Sequence, residues 1–338
     1  MSVPLSERLL DFPVLEQEKG SATSMNTSTV TEFVFLGLPH SRSIQLLLFL
    51  LVLACYMAIL LGNLLIVVTV HAEPRLLQSP MYLFLGNLSI IDTAVGSVAV
   101  PKMLAELASY GKTISLGGCM TQIFFLHFFG GSEMLLLTLM AYDRYVAICH
   151  PLMYMTTMNR SHCRRLLVSC WVGGLIHSST QLVLLLRLPF CGPNKLDNFY
   201  CDVPQVVKLA CADVYVTEIL MVANSGLLSL VCLFIVLVSY AVILATLRGY
   251  FRESGRKALS TYGSHLTVVN LVFVPCLFVY LVPSSSSNVD KMASIFYTIV
   301  TPALNPMIYT LRNREMREAM GRLKNQCIFS HFPAKGQK

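Results

Sequence analysis

Seven apolar stretches of about twenty residues or more constrain this chain more than any other feature: Ile44–Val70, Met81–Val100, Cys119–Ala141, Leu166–Leu188, Val216–Leu247, Leu259–Val282 and Met292–Leu311. A helix rises about 1.5 Å per residue, so roughly twenty residues cross a hydrocarbon layer about 30 Å thick. Composition argues against a soluble alternative. Hydrophobic residues make up 55% of the chain and charged residues 13%, whereas soluble domains carry about 25% charged residues. The expectation is an all-α membrane protein, a bundle of seven transmembrane helices with its termini on opposite sides. The second, third and seventh stretches contain Gly, Pro or a carboxylate, which leaves their ends the least defined.

Orientation follows from the basic residues, because Lys and Arg accumulate on the cytosolic side. Arg75, Arg144, Arg160, Arg164, Arg165, Arg248, Arg252, Arg256 and Lys257, with a basic run after Leu311, share one side if the amino terminus is outside. The sequon Asn26-Thr27-Ser28 would then lie where N-glycosylation occurs. Cys119, Cys191, Cys201 and Cys211 would lie where disulfides persist, and four cysteines allow three pairings. The segment before Ile44 carries Glu7, Arg8, Asp11, Glu16, Glu18 and Lys19 without an apolar core, so it is not a signal peptide and the first span is expected to anchor the chain uncleaved. Met25 is an alternative start, which makes residues 1–24 a disordered extension in this reading. The chain divides into a tail over 1–43, a bundle over 44–311 and a carboxy-terminal segment over 312–338.

Polar groups inside the spans carry the functional signal, because a charge at mid-membrane is costly. Asn63, Asp92, Glu133 and Asn305 fall on the first, second, third and seventh spans. Two inward-facing acids need a proton or a cation to offset them. Arg144 follows Glu133 by eleven residues, roughly 16 Å along a helix, and so sits at the inner mouth of the bundle. Asp143 beside it is expected to hold the guanidinium; the alternative is an arginine that snorkels to the membrane edge.

Several stretches carry a resemblance: Gly62-Asn63, PMYLFLGNLSIID at Pro80–Asp92, MAYDRYVAICHP at Met140–Pro151, Ser239-Tyr240, KALSTYGSHL at Lys257–Leu266 and PALNPMIYTLRN at Pro302–Asn313. In this order and spacing they resemble the olfactory receptors of the tetrapod type, seven-helix G-protein-coupled receptors, from Met25 to about Lys324. The resemblance implies disulfides Cys119–Cys201 and Cys191–Cys211, and a switch built from Asp143, Arg144, Tyr145, Tyr240, Asn305, Pro306 and Tyr309, coupled to the sixth helix through Lys257 to His265. It implies a sodium-binding interior at Asn63, Asp92, Glu133 and Asn305. It also implies an odorant ligand, a plasma-membrane location, and as partner the olfactory stimulatory G protein that raises cyclic AMP. Four positions depart from the family pattern, Tyr262, Phe273, Val282 and Ala303, which puts coupling strength in question.

By the same analogy the ligand site lies between the outer halves of the third, fifth and sixth helices, under the cysteine-rich loop. The candidates are His127, Gly130 and Gly131; Asn224, Ser225 and Leu228; and Phe273, Cys276, Leu277 and Tyr280. His127 is the favoured polar anchor. Because no arginine stands near Ser284, a neutral alcohol, ketone, ester or aldehyde is expected rather than a carboxylate. Residues Arg312–Leu323 read as a basic amphipathic eighth helix on the inner leaflet, with Cys327 as a lipidation candidate. A transporter or channel would also use intramembrane carboxylates, but it would be expected to carry repeats or a charged pathway, and the sequence has neither. A membrane enzyme would need a convergent nucleophile and base or a metal cluster, while the histidines here are scattered over several spans.

Overall fold

The computed structural model describes residues 30–36, 41–108, 111–191, 193–248, 254–281 and 287–331. Its long helices are α1 (Arg42–Ala72), α2 (Pro80–Leu107), α3 (Leu116–Cys149), α4 (Arg160–Leu186), α5 (Tyr215–Arg248) and α6 (Ser254–Leu281). The seventh, α7, runs over Ser287–Ile295, passes through one π-helical turn at Phe296–Val300 and continues over Thr301–Arg312. A last helix, α8, covers Arg314–His331.

Most of these helices outrun the apolar stretches that announce them, because polar turns with caps extend them past the hydrocarbon. Ser115 accepts a hydrogen bond from Gly118 N to open α3, and Asn159 accepts from His162 N to open α4. Pro80 begins α2, where a missing N–H costs nothing. The third helix continues eight residues past Ala141 to Cys149, so Asp143, Arg144 and Tyr145 lie within its last turns. Arg312 ends α7 instead of starting the eighth helix. Asn313 takes an extended backbone and its Oδ1 accepts from Met316 N at 3.1 Å, which makes the break.

Among the described residues, α1 to α5 are each long and apolar enough to cross a membrane. The sixth contributes a shorter apolar stretch, His265–Phe278. The chain is a multi-pass membrane protein. In α1 only 11% of the most apolar window is buried, against 61% in α2 and in α3, so α1 faces lipid with Leu46, Leu47, Leu50, Leu51 and Leu61, while α2 and α3 form the centre. The main core joins Phe84, Leu88 and Ile91 of α2 to Leu136 and Leu137 of α3 and to Val268, Val269 and Phe273 of α6.

One end of the bundle carries a feature the sequence reading did not anticipate. Three short strands form a sheet in the order β2-β1-β3: β1 is Glu32–Phe35, β2 is Thr113–Ser115 and β3 is Lys195–Leu196. The first pairs antiparallel with β2 and parallel with β3. Phe33 and Phe35 point inward from β1 and pack with Ile123, Leu185, Leu196 and Val206 in a second core. Segments of two to four residues are too short to give a periodic signal. Below, this end is called the sheet end.

Candidate functional site

A cavity of about 70 Å³ lies inside the bundle toward the sheet end. A water molecule needs about 10–15 Å³ by this kind of measure, so the space suits a small organic molecule. Its floor and one wall come from α3, through Leu126, His127, Gly130, Gly131 and Met134. His177 enters from α4, Ser225 and Ser229 from α5, Pro275 and Cys276 from α6, and Ala293, Ser294 and Tyr297 from α7. The loop residues Tyr200, Cys201 and Asp202 close the top.

Two glycine pairs explain how the helices come so close. A Cβ on Gly131 would stand 3.0 Å from His177 Cδ2 and 3.4 Å from Gly174 Cα. One on Gly174 would press on Ser132 N at 2.8 Å and Phe128 O at 2.7 Å. Small residues let helix backbones approach in a membrane, and here they bring His177 beside His127, with ring centroids 5.7 Å apart. The Nδ1 atom of His127 bonds to Ile123 O at 2.9 Å. Gly130 leaves room for the Tyr297 hydroxyl, which sits where a Cβ would be.

The roof is fixed by covalent and polar ties. Cys119 at the start of α3 is disulfide-bonded to Cys201, and Cys191 to Cys211. Gln122 Oε1 accepts from Cys201 N at 2.9 Å, and Asp202 Oδ1 accepts from Val203 N at 2.9 Å. Lys291 Nζ on α7 donates to Asp197 Oδ1 at 2.5 Å. Burial pushes the Tyr200 phenol well above its ordinary pKa, so it is neutral.

Of the ten ligand-site candidates, the structure brings His127, Gly130, Gly131, Ser225 and Cys276 to the cavity. Four stand elsewhere. Asn224 is spent tying α5 to α4, donating to His177 O at 3.2 Å and Gln181 Oε1 at 3.1 Å. Phe273 is fully buried in the core, and Leu228 packs against that core. Leu277 is partly buried and does not line the cavity. The side chain of Tyr280 lies outside the described residues. Sequence reasoning placed the site under the cysteine-rich loop, which does contribute Tyr200, Cys201 and Asp202, but it named none of those residues as lining and missed the fourth and seventh helices. The paired glycines Gly130-Gly131 and Gly173-Gly174, on two different spans, were the signal for the α4 contribution; nothing comparable marked Tyr200 or Asp202.

Deeper in the bundle the four interior polar residues are brought together only in part. Asn305 Nδ2 donates to both Asp92 oxygens at 3.0 Å, and Asp92 lies within electrostatic reach of Glu133. Asn63 Nδ2 donates to Ile59 O at 3.0 Å and Pro302 O at 3.1 Å, joining α1 to α7. Gly62 helps, since a Cβ there would stand 3.0 Å from Pro306. Asn63 Oδ1, Asn305 Oδ1 and Glu133 Oε1 are buried without hydrogen-bond partners among the described residues. No group of three His, Cys, Asp or Glu side chains gathers as for a metal ion among the described residues.

At the end opposite the sheet, Arg144 acts on Asp143 through its charge without the close ion pair expected of the two. Asp143 is 2% exposed and accepts from Tyr154 Oη at 2.9 Å. No ion pair joins it to Arg144 among the described residues. Adjacent helical residues project in different directions, so the neighbour in sequence is not the neighbour in space. Tyr145 shares a 3.1 Å hydrogen bond with His150 Nε2. Tyr240 Oη and His265 Nδ1 share one of 2.6 Å, linking α5 to α6. Tyr309 Oη is buried without a partner among the described residues. The side chains of Lys257 and Tyr262, all of Val282 and the sequon at Asn26 lie outside the described residues; Ala303 is partly buried in α7.

Comparison with known proteins gives a consistent picture. The family model described as "Olfactory receptor" matches residues 52–326. Human Olfactory receptor 4Q3 is 62% identical over 297 residues, covering 88% of this chain and 95% of that protein. Human Olfactory receptor 4K14 is 54% identical over 303 residues, with 90% and 98% covered. Mouse Olfactory receptor 4E2 is 53% identical over 307 residues, with 91% and 99% covered.

Proposed function

From the premise that this chain belongs to the olfactory receptor family, whose members are G-protein-coupled receptors and not enzymes, we propose that its cavity binds a small, neutral volatile and that occupancy activates a stimulatory, olfactory-type G protein, raising cyclic AMP. The observation that carries this reading is the cavity beneath a loop stapled to α3 by Cys119–Cys201. Its lining is mostly apolar with a few polar groups, the character of small-molecule sites. Among the described residues no Lys or Arg lines it, while Asp202 does, which disfavours a carboxylate ligand by like-charge repulsion.

In this reading the sheet end and the amino terminus face outward, Asn26 carries the glycan, and α8 lies on the inner leaflet. The Tyr240–His265 bond holds α5 to α6 near the inner mouth. Movement of α6 would break it and open a cleft in which Arg144 is available to the G protein. Asp92, Glu133 and the unpartnered Oδ1 of Asn305 are hard oxygen donors that suit a sodium ion. When bound there, the ion would supply the charge that offsets two buried carboxylates; a retained proton is the other way to do so.

A cyclic-AMP reporter assay in cells carrying the olfactory G protein, run with an odorant panel on wild type and Arg144→Ala, tests this. Wild type should respond, and the variant should reach the surface and stay silent. Ligand-evoked current or uptake in cells lacking the G protein would replace the receptor reading with a channel or transporter.

A further inference from the structure

Tyr200 separates the ligand cavity from a second void. That void, about 10 Å³, lies between α2 and α7 and is lined by Ala99, Met103, Phe199, Ile295, Thr298 and Ile299, with Tyr200 as the wall common to both spaces. It has room for about one methyl-sized group. We propose that Tyr200 is a gate that sets ligand length, and that the void behind it is a subsite for the alkyl tail of an aliphatic ligand whose polar head stays in the main cavity. This rests on the receptor reading above and names the ligand class of the same site.

The chemistry of the lining selects a hydrocarbon tail. Ala99, Met103, Ile295 and Ile299 offer aliphatic surface, and the methionine side chain adapts readily to new shapes. The polar member, Thr298, has spent its hydroxyl proton on Ser294 O at 2.8 Å. The main cavity, by contrast, holds His127, His177, Ser225, Ser229 and Asp202. A polar head and an apolar tail are therefore sorted to opposite sides of one ring.

The backbone on either side of that ring is fixed. Asn198, 1% exposed, accepts from Phe199 N at 2.8 Å. Cys201 is held by Cys119 and by Gln122 Oε1. Rotation of the Tyr200 side chain, which gives up its contact with the Ser294 hydroxyl, would merge the two voids without movement of the loop. On the far side the π-helical turn at Phe296–Val300 carries Thr298 and Ile299; such turns interrupt regular helix packing.

Two measurements on the full-length receptor in cells decide the matter. The first adds Cys at Ala99→Cys and follows its modification by a small methanethiosulfonate reagent applied outside. The added thiol should be protected while Tyr200 is present and react when Tyr200→Ala is combined with it, after subtraction of the labelling of Tyr200→Ala alone. The second measures cyclic AMP for straight-chain primary alcohols from butanol to dodecanol. In Tyr200→Ala the optimum should move to longer chains, with potency rising about fourfold per added methylene beyond the wild-type optimum. Ala99→Leu should cancel that gain, and Tyr200→Phe, which keeps the ring, should retain the wild-type limit. Equal labelling with and without Tyr200, or an unchanged optimum in Tyr200→Ala at normal surface level, overturns the gate. A chain that answers no odorant counts against the receptor reading, and the labelling still decides the gate.

Discussion

Tyr154 donates its hydroxyl to Asp143 Oδ1 at 2.9 Å, so the acid beside Arg144 is tied to the short helix Tyr154–Thr157 while it stays within reach of the arginine's charge. Burial, together with the adjacent Asp143, pushes the Tyr154 phenol above its ordinary pKa and keeps it protonated as a donor. Tyr154→Phe leaves a buried acceptor without its donor, a loss of about 1–3 kcal/mol. Purified Tyr154→Phe receptor should unfold at a lower temperature than wild type; an unchanged unfolding temperature would mean that the bond contributes nothing.

The glycine contacts divide into two kinds, and substitution should separate them. A methyl on Gly174 meets the backbone of Phe128 and Ser132, which cannot swing aside. Gly174→Ala should force α3 and α4 apart, cost about 1–3 kcal/mol or more, and sharply reduce surface expression in flow cytometry. A methyl on Gly130 meets the far end of the Tyr297 side chain instead. Gly130→Ala should reach the surface and displace the Tyr297 ring, lowering ligand potency in the cyclic-AMP assay.

The same distinction marks what the amino-acid sequence made legible. The bundle and the interior acids at Asp92 and Glu133 follow from apolar length and from the cost of charge in hydrocarbon, and both can be read one residue at a time. The roof of the cavity cannot. Tyr200 and Asp202 come from a loop, and they line the cavity where a disulfide and Gln122 hold the chain. Asp143 and Arg144 interact through charge without a close ion pair among the described residues, since adjacency in sequence says little about direction around a helix. Asn224 looked like a ligand donor from its position, yet its amide serves as a tie between two helices.

Asn305 is the donor to both oxygens of Asp92. Asn305→Ala should destabilise the receptor by about 1–3 kcal/mol, read as a lower unfolding temperature. Should sodium occupy this interior, agonist potency in wild type will change when sodium is replaced by a large organic cation, and Glu133→Gln will abolish that difference. Identical potency of wild type in both media would argue for a retained proton.

The two disulfides close loops of very different size, with a sequence separation of 82 for Cys119 and Cys201 and of 20 for Cys191 and Cys211. Loss of a native disulfide costs about 2–5 kcal/mol, more for the longer loop on chain-entropy grounds. Cys201→Ser should remove both surface expression and odorant response. Cys191→Ser should retain a measurable share of both, because Cys191 and Cys211 do not line the cavity.

The three-stranded sheet also bears on how the cavity can be reached. Residues 32–35, 113–115 and 195–196 are far apart along the chain, yet β1 is stitched to the other two at once. As the central strand, β1 ties β2 to β3 through two separate ladders. The segment Glu32–Phe35 is thus a fastening for the loop that closes the cavity, and a chain trimmed to begin at Met25 keeps that strand, whereas one trimmed past Phe35 leaves the loop without its central thread.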